Sequence, residues 1–244
     1  LCQLVLTKWP NYADMVLVHR NLVMAHIQST EFDEAEAEMA KLLKNYPESH
    51  ELPKGIRKIA HCYFKANKPD KARDLCRMAL ETGPNSSEAI LTQRDLAINH
   101  IRLGEYEAAE TITAQLIANY SDHAEIGNCI GRIASYYFTP KKPQKAKELC
   151  QMALSNWPGH SEKAKTLSTL ADAMIKLGEI QQAGEVTAHL INDYSGNQEI
   201  GDYVRKAAFY CLSHDQPLKA RELYQIVLQK WPQSKDIASA QAGL

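Results

Sequence analysis

What this chain lacks narrows its function before any motif is sought. Neither sign of charge is in excess, since 28 lysines and arginines face 29 aspartates and glutamates. That removes the basic footprint of a nucleic-acid binder and the polybasic face of a membrane-surface protein. No apolar run approaches the ~20 residues that span a bilayer. The opening LCQLVLTKWP has neither the basic start nor the apolar stretch of a signal peptide. H-E-x-x-H, G-x-S-x-G, a glycine-rich phosphate loop and a dinucleotide fingerprint are all missing, so no residues nominate a catalytic centre. The six cysteines show no C-x-x-C and no Cys/His zinc spacing. The nine histidines form no recognised ligand set. The expectation is a non-enzymatic chain with no cofactor and no metal. Hydrophobic residues make up 45% of its 244 positions, enough for a substantial core, which excludes disorder.

What the chain has is repetition. Prolines at 10, 47, 84, 158 and 232 lie on a 37-residue lattice whose remaining points are Ser121 and Ser195. Twelve residues before each later lattice point stand Ala35, Ala72, Ala109, Ala146, Ala183 and Ala220. Twelve further back are Val23, Ala60, Ala97, Ala134, Ala171 and Ala208. Ala35, Met39, Leu42 and Leu43 follow the i, i+4, i+7, i+8 pattern of one helix face, and Ala146, Cys150, Ala153 and Leu154 repeat it. Strand-like alternation is absent. Each 37-residue unit therefore holds two helices, the second ended by a Tyr-Pro, Trp-Pro or Gly-Pro step, because proline cannot continue the backbone ladder. Pro69, Pro143 and Pro217 open second helices, where a missing N–H costs little. The alternate units read STEFDEA, LGEYEAA and LGEIQQA, with Gly104 and Gly178 turning the chain. The true period is thus 74 residues, and LCQLVLTKWP, LCRMALETGP, LCQMALSNWP and LYQIVLQKWP are four copies of one segment.

This pattern resembles the tetratricopeptide repeat family over nearly the whole chain. The resemblance rests on the small residue of the first helix, the turn glycines, the aromatic of GEYEAA, the alanine column and the closing proline. It departs in three ways. Its units are 37 residues instead of the family's 34. His19, Ile56, Gln93, Ile130, Leu167 and Val204 stand where the family has an early tryptophan, and alanine or valine replaces its glycine. The resemblance implies an all-α, right-handed solenoid of stacked helical hairpins with open ends. The expected division is a second helix of a partial repeat in 1–15, full repeats at 16–52, 53–89, 90–126, 127–163, 164–200 and 201–237, and the start of a further repeat at 238–244. It also implies a concave surface, built from first helices, that grips peptides. By register that surface includes Arg20, Arg57, Arg94 and Arg205, then Met24, His61, Ile98 and Phe209 one turn on, then an apolar row that includes Phe64. An arginine row beside an apolar row suits an acidic, partly hydrophobic peptide. Charge reversal of Arg57 and Arg94 is expected to abolish capture and leave helicity intact.

Cys2, Cys76 and Cys150 share one column with Tyr224, on the inward face, and read as small core fillers. Cys62, Cys129 and Cys211 lie in first helices, and a Cys62–Cys76 bridge stays open. Asn85-Ser-Ser and Asn119-Tyr-Ser match the glycosylation pattern. The chain begins on Leu1 and shows no polar cap, so it reads as a slice of a longer array. The alternative is head-to-tail stacking of copies into an extracellular or surface filament. The expected function is a scaffold that binds another polypeptide or further copies of itself, soluble, with neither nucleic acid nor a membrane span. Bacterial repeat proteins with Tyr-Pro and Trp-Pro unit ends give a loose association with the cell envelope.

Overall fold

The computed structural model describes residues 14–138, 141–194, 196, 198–213 and 215–232. The helix expected at the N-terminus, the start of a further repeat at 238–244, and Cys2 lie outside the described residues. Those residues form twelve α-helices and no strand. The chain divides into two compact halves, Leu1–Ser121 and Asp122–Leu244.

In the first half the helices are α1 (Met15–Gln28), α2 (Phe32–Asn45), α3 (Leu52–Lys65), α4 (Pro69–Thr82), α5 (Ala89–Leu103) and α6 (Tyr106–Tyr120). The second half holds α7 (Ile126–Tyr137), α8 (Pro143–Asn156), α9 (Lys163–Lys176), α10 (Ile180–Asp193), α11 (Gln198–Ser213) and α12 (Pro217–Lys230). Within each half, consecutive helices pack as hairpins, and each first helix also packs on the next first helix: α1 on α3 and α3 on α5, then α7 on α9 and α9 on α11. Every second helix begins 37 residues after the one before, at 32, 69, 106, 143, 180 and 217.

The turn inside every hairpin has one conformation. Thr30, Asn67, Gly104, Lys141, Gly178 and Asp215, spaced 37 apart, all lie at positive φ between 56° and 79°. The next residue's N–H reaches back five residues to a carbonyl, as in Glu31 to His26, Lys68 to Tyr63, Glu105 to His100 and Gln216 to Cys211. This left-handed closure satisfies carbonyls that the helix end leaves orphaned. Glycine takes that conformation without steric cost, and two of the six units supply it.

Both columns of small residues are inside. Ala35, Ala72, Ala109, Ala146 and Ala220 have no exposed surface, and Val23, Ala97, Ala134 and Ala208 have none either. Helices approach closely only where side chains are this small, so the columns set the hairpin spacing. The Trp-Pro steps fit a second complementarity. A Cβ built on Gly127 would lie 2.9 Å from Trp157 Cβ, and one on Gly201 would lie 2.9 Å from Trp231 Cβ. In the corresponding place of the first half the sizes are reversed: Gly83 ends α4, and a Cβ there would collide with Pro53 of α3. A bulky closing residue is matched by glycine on the first helix, and a closing glycine by proline.

Ion pairs recur every 74 residues. Arg73 donates to Glu105 at 2.8 Å, and Lys147 donates to Glu179 at 2.6 Å. His26 pairs with Glu31 at 2.6 Å and His100 with Glu105 at 2.5 Å.

Candidate functional site

The first helices carry the expected binding rows, and the arginines among them are engaged internally. Arg57, on α3, donates through Nε to Glu88 at 2.7 Å and through Nη1 to Asp95 on α5 at 3.1 Å. Arg94 holds the same Asp95 through Nε at 2.9 Å and Nη2 at 2.6 Å. These side chains are only about 15% exposed, so the carboxylates neutralise them in a partly dry environment. Arg20 donates twice to Asn21 Oδ1, at 3.1 and 2.8 Å. Arg205 is half-buried on α11, near Tyr224 of α12. At Arg57 the row is therefore a hairpin-to-hairpin brace, and Arg94 holds the shared Asp95 from within its own helix. Arg57→Glu would set a carboxylate beside Glu88 and Asp95, so the expected charge reversal tests folding together with capture.

The next row divides. Ile98 is 3% exposed, so it packs in the core and offers a ligand no surface. Met24 and Phe64 are half-buried against the core of the first half. His61 stacks on Phe64 at 6.3 Å with the rings 11° apart, and the Arg102 guanidinium lies over Phe64 at 4.7 Å. Phe209, by contrast, is 58% exposed. It touches Tyr210 edge-on at 6.3 Å, and Tyr210 meets Phe138, the residue that follows α7, at 6.2 Å, also edge to face. Lys176 of α9 places Nζ 3.6 Å over the Phe138 ring and 5.9 Å from Tyr210. Phe138 and Lys176 stand 74 residues after Phe64 and Arg102, so the cation-over-ring pair is a repeated element. Leu212, in the Phe64 row, is 42% exposed, whereas Ile27, Ile101 and Ile175 of that row are 1–2% exposed.

Lys176 and Tyr210 are the participants that sequence reasoning missed, whereas Asp172 falls in the concave-face column by register and was given no role of its own. Asp172 occupies the column of Met24, His61, Ile98 and Phe209. Burial raises its carboxyl to about 7, although Lys206 and Lys176 pull the other way. A signal existed, since Asp172 is the one acidic residue of that column. A second missed group lies in the first half, where His19 Nδ1 meets Glu38 at 2.5 Å with both side chains buried, and Lys41 reaches the other Glu38 oxygen at 2.9 Å. Burial pushes the Glu38 carboxyl up, and hydrogen bonds from Lys41 and His19 outweigh it, leaving it below the usual range.

Cys62, Cys76, Cys129, Cys150 and Cys211 are all buried free thiols, so the Cys62–Cys76 bridge is not formed. Burial pushes Cys76 up to about 12 and raises Cys62, Cys150 and Cys211. They stay protonated and inert at neutral pH. Among the described residues no group of three His, Cys, Asp or Glu is placed to hold a metal. No helix of the described residues is long and apolar enough to cross a membrane.

Two family profiles, each described as tetratricopeptide repeat, match residues 20–87 and 63–133. Solved structures of such proteins share the stacked-hairpin fold. Residues 20–133 belong to the tetratricopeptide repeat family. A tetratricopeptide repeat protein of Parabacteroides merdae aligns over 99% of this chain and 89% of its own, with a TM-score of 0.61 at 12% identity. BtubC (BKLC) of P. vanneervenii aligns over 78% and 84%, with a TM-score of 0.58 at 16% identity. At such identities the likeness is one of fold. Among curated proteins, "Protein KINESIN LIGHT CHAIN-RELATED 3" of Arabidopsis thaliana is 24% identical over 184 residues, which are 67% of this chain and 28% of that protein. The chain thus spans little more than a quarter of that relative. Tetratricopeptide repeat scaffolds are generally non-enzymatic protein-interaction modules.

Proposed function

We propose that this tetratricopeptide repeat chain is a non-enzymatic scaffold, cut from a longer array, that captures another polypeptide along its first-helix face. In this reading six 37-residue units, 16–52, 53–89, 90–126, 127–163, 164–200 and 201–237, form the binding platform. The observation that carries it is Phe209, a large ring 58% exposed in a column that runs along the first helices. With Leu212, one turn on and 42% exposed, it forms an adjoining apolar patch, and contiguous exposed apolar patches mark protein-interaction surfaces. The test is a peptide array probed with the labelled chain. A restricted subset of peptides is expected to be retained, and Phe209→Ala is expected to reduce retention with unchanged circular dichroism. Failure to retain any peptide above background contradicts the reading.

A second reading, head-to-tail association of copies, is supported by Leu212. Its register mates Ile27, Ile101 and Ile175 are 1–2% exposed, whereas Leu212, which has no following first helix among the described residues, is 42% exposed. A second copy supplying that helix would make a heterologous contact, which propagates as a fibre. Sedimentation at rising concentration together with negative-stain imaging tests it: regular linear assemblies support it, and a monodisperse monomer removes it.

A further inference from the structure

The second helices carry features that the first-helix face does not explain. In the first half, α2 and α4 leave a groove of about 260 Å³ between them, with Tyr63 of α3 at its base and Met39, Leu43, Leu75 and Met78 along its walls. Leu43 and Met78 are only half-buried, so apolar wall reaches solvent, and two methionines let that wall adapt to a guest. One end of the groove is acidic. Asp33, Glu36, Ala40 and Leu43 follow an i, i+3, i+7, i+10 stripe along α2, and Asp70, Asp74 and Met78 an i, i+4, i+8 stripe along α4. Glu36 is joined to Lys71 at 2.7 Å, whereas Asp33 and Asp70 are exposed and have no ion-pair partner among the described residues.

A side chain of the opposite kind stands on α12. The second residue of every second helix is exposed, and in five hairpins it is polar: Asp33, Asp70, Glu107, Gln144 and Gln181. In the sixth it is Leu218, 73% exposed. Its counterparts are exposed although further hairpins follow them, so the exposure belongs to the position, and only the leucine is exceptional. One turn on, Arg221 is exposed as well and has no carboxylate partner among the described residues. Where α2 presents Asp33 and Glu36, α12 presents Leu218 and Arg221.

We propose that the α2–α4 groove receives α12 of a second copy of this chain, with Leu218 seated between Met39 and Met78 and Arg221 reaching Asp33 and Asp70. Charge complementarity selects the occupant: two unpaired acids end the groove, an unpaired cation flanks the exposed leucine, and this chain supplies both parts. The contact joins unlike surfaces, so a pair of copies keeps one groove and one Leu218 unused. It involves neither Phe209 nor the hairpin end at Leu212 and stands apart from both readings above.

The test is sedimentation velocity of the full chain at rising concentration. Reversible association is expected. Leu218→Ser is expected to weaken it about tenfold, and so is Ala40→Arg, which fills the groove from an exposed position, both with unchanged circular dichroism. Leu212→Ser is expected to leave it as it was. Arg221→Glu is expected to weaken it several-fold and to be rescued by Asp33→Lys together with Asp70→Lys. Mixing gives the decisive arm. The Ala40→Arg chain still offers Leu218 and the Leu218→Ser chain still offers a groove, so at concentrations where each alone is monomeric they are expected to form a 1:1 pair that grows no further. A parent chain monomeric at every soluble concentration, a mixture that stays monomeric, or association lost with Leu212→Ser and indifferent to Leu218→Ser would overturn the proposal. A Leu- and Lys-rich amphipathic peptide that fills the groove of a monomeric chain would overturn it as well, assigning the groove to a foreign partner.

Discussion

Single residues show where the repeat is under strain. Thr30 holds φ at 62°, a conformation in which a β-branched side chain clashes with its own backbone. Gly104 and Gly178 fill the same turn position at 78° and 79° with nothing within 4 Å of a Cβ, so space is not what demands glycine there. Thr30→Gly is therefore expected to stabilise the chain by about 1 kcal/mol, and Gly104→Ala to cost about the same, both read from denaturant midpoints. The buried His19–Glu38 pair makes the second residue-scale case. Sibling positions hold Ile56 with Leu75, Ile130 with Leu149 and Val204 with Leu223, all buried. Glu38→Leu alone strands His19, and His19→Ile alone strands a buried carboxylate; each is expected to cost about 3 kcal/mol, and the double change to be neutral or stabilising. Because the Glu38 carboxyl is held low, its contribution is present above the unfolded-state value near 4.3 and is lost as pH falls further. Acid melts of the double variant are expected to be flatter than those of the parent. Asp172 runs the other way: its raised value of about 7 means the folded chain holds a proton that the unfolded chain releases. Stability then falls as pH rises from about 4 to 7, and Asp172→Asn is expected to gain at most roughly 4 kcal/mol at pH 8.

At the scale of helices, the sequence was most legible where the structure is most repetitive. Helix starts, both small-residue columns and the proline steps were readable because an identical environment recurs six times, and chance cannot hold an alanine in register that often. Glu38 was not readable, since one acidic residue on a helix looks like a solvated face until its partner, 19 positions away, is seen to be buried too. The engagement of Arg57 was hidden for a related reason: its carboxylate partners Glu88 and Asp95 arrive from the next hairpin, which no periodicity within one helix announces, whereas Arg94 takes the adjacent Asp95 of its own helix. Ile98 fell on the correct helix face by register, but the first helices pack closely enough there to bury it. Close packing also supplies an element-scale test. Ala146→Leu inserts a side chain where none has room and is expected to cost about 1 to 3 kcal/mol. Gly127→Ala, which meets Trp157 and His160, is expected to cost a similar amount. Part of that cost is expected to return when Trp157 is changed to Gly in the same chain, the His160 contact remaining, a coupling of about 1 kcal/mol in the double-mutant cycle.

Across the whole molecule, stability in a stacked repeat is a sum of hairpin terms and nearest-neighbour interfaces, with no long-range closure to complete. The first half illustrates this. Its buried cluster runs from Val16 to Leu96, and its braces join residues of that half alone: Arg57 to Glu88 and Asp95, Arg73 to Glu105, Lys71 to Glu36. Residues 14–121 produced alone are therefore expected to keep the helicity per residue of the intact chain and to melt cooperatively. Thr30→Gly and the His19, Glu38 double change should shift that fragment's midpoint free energy by the same amount as in the full chain, because every partner they touch is retained. A fragment that is unfolded by circular dichroism, or one in which the two shifts differ from their full-length values by more than about 0.5 kcal/mol, would show that the hairpins draw their stability from beyond their neighbours, and the nearest-neighbour account would fail.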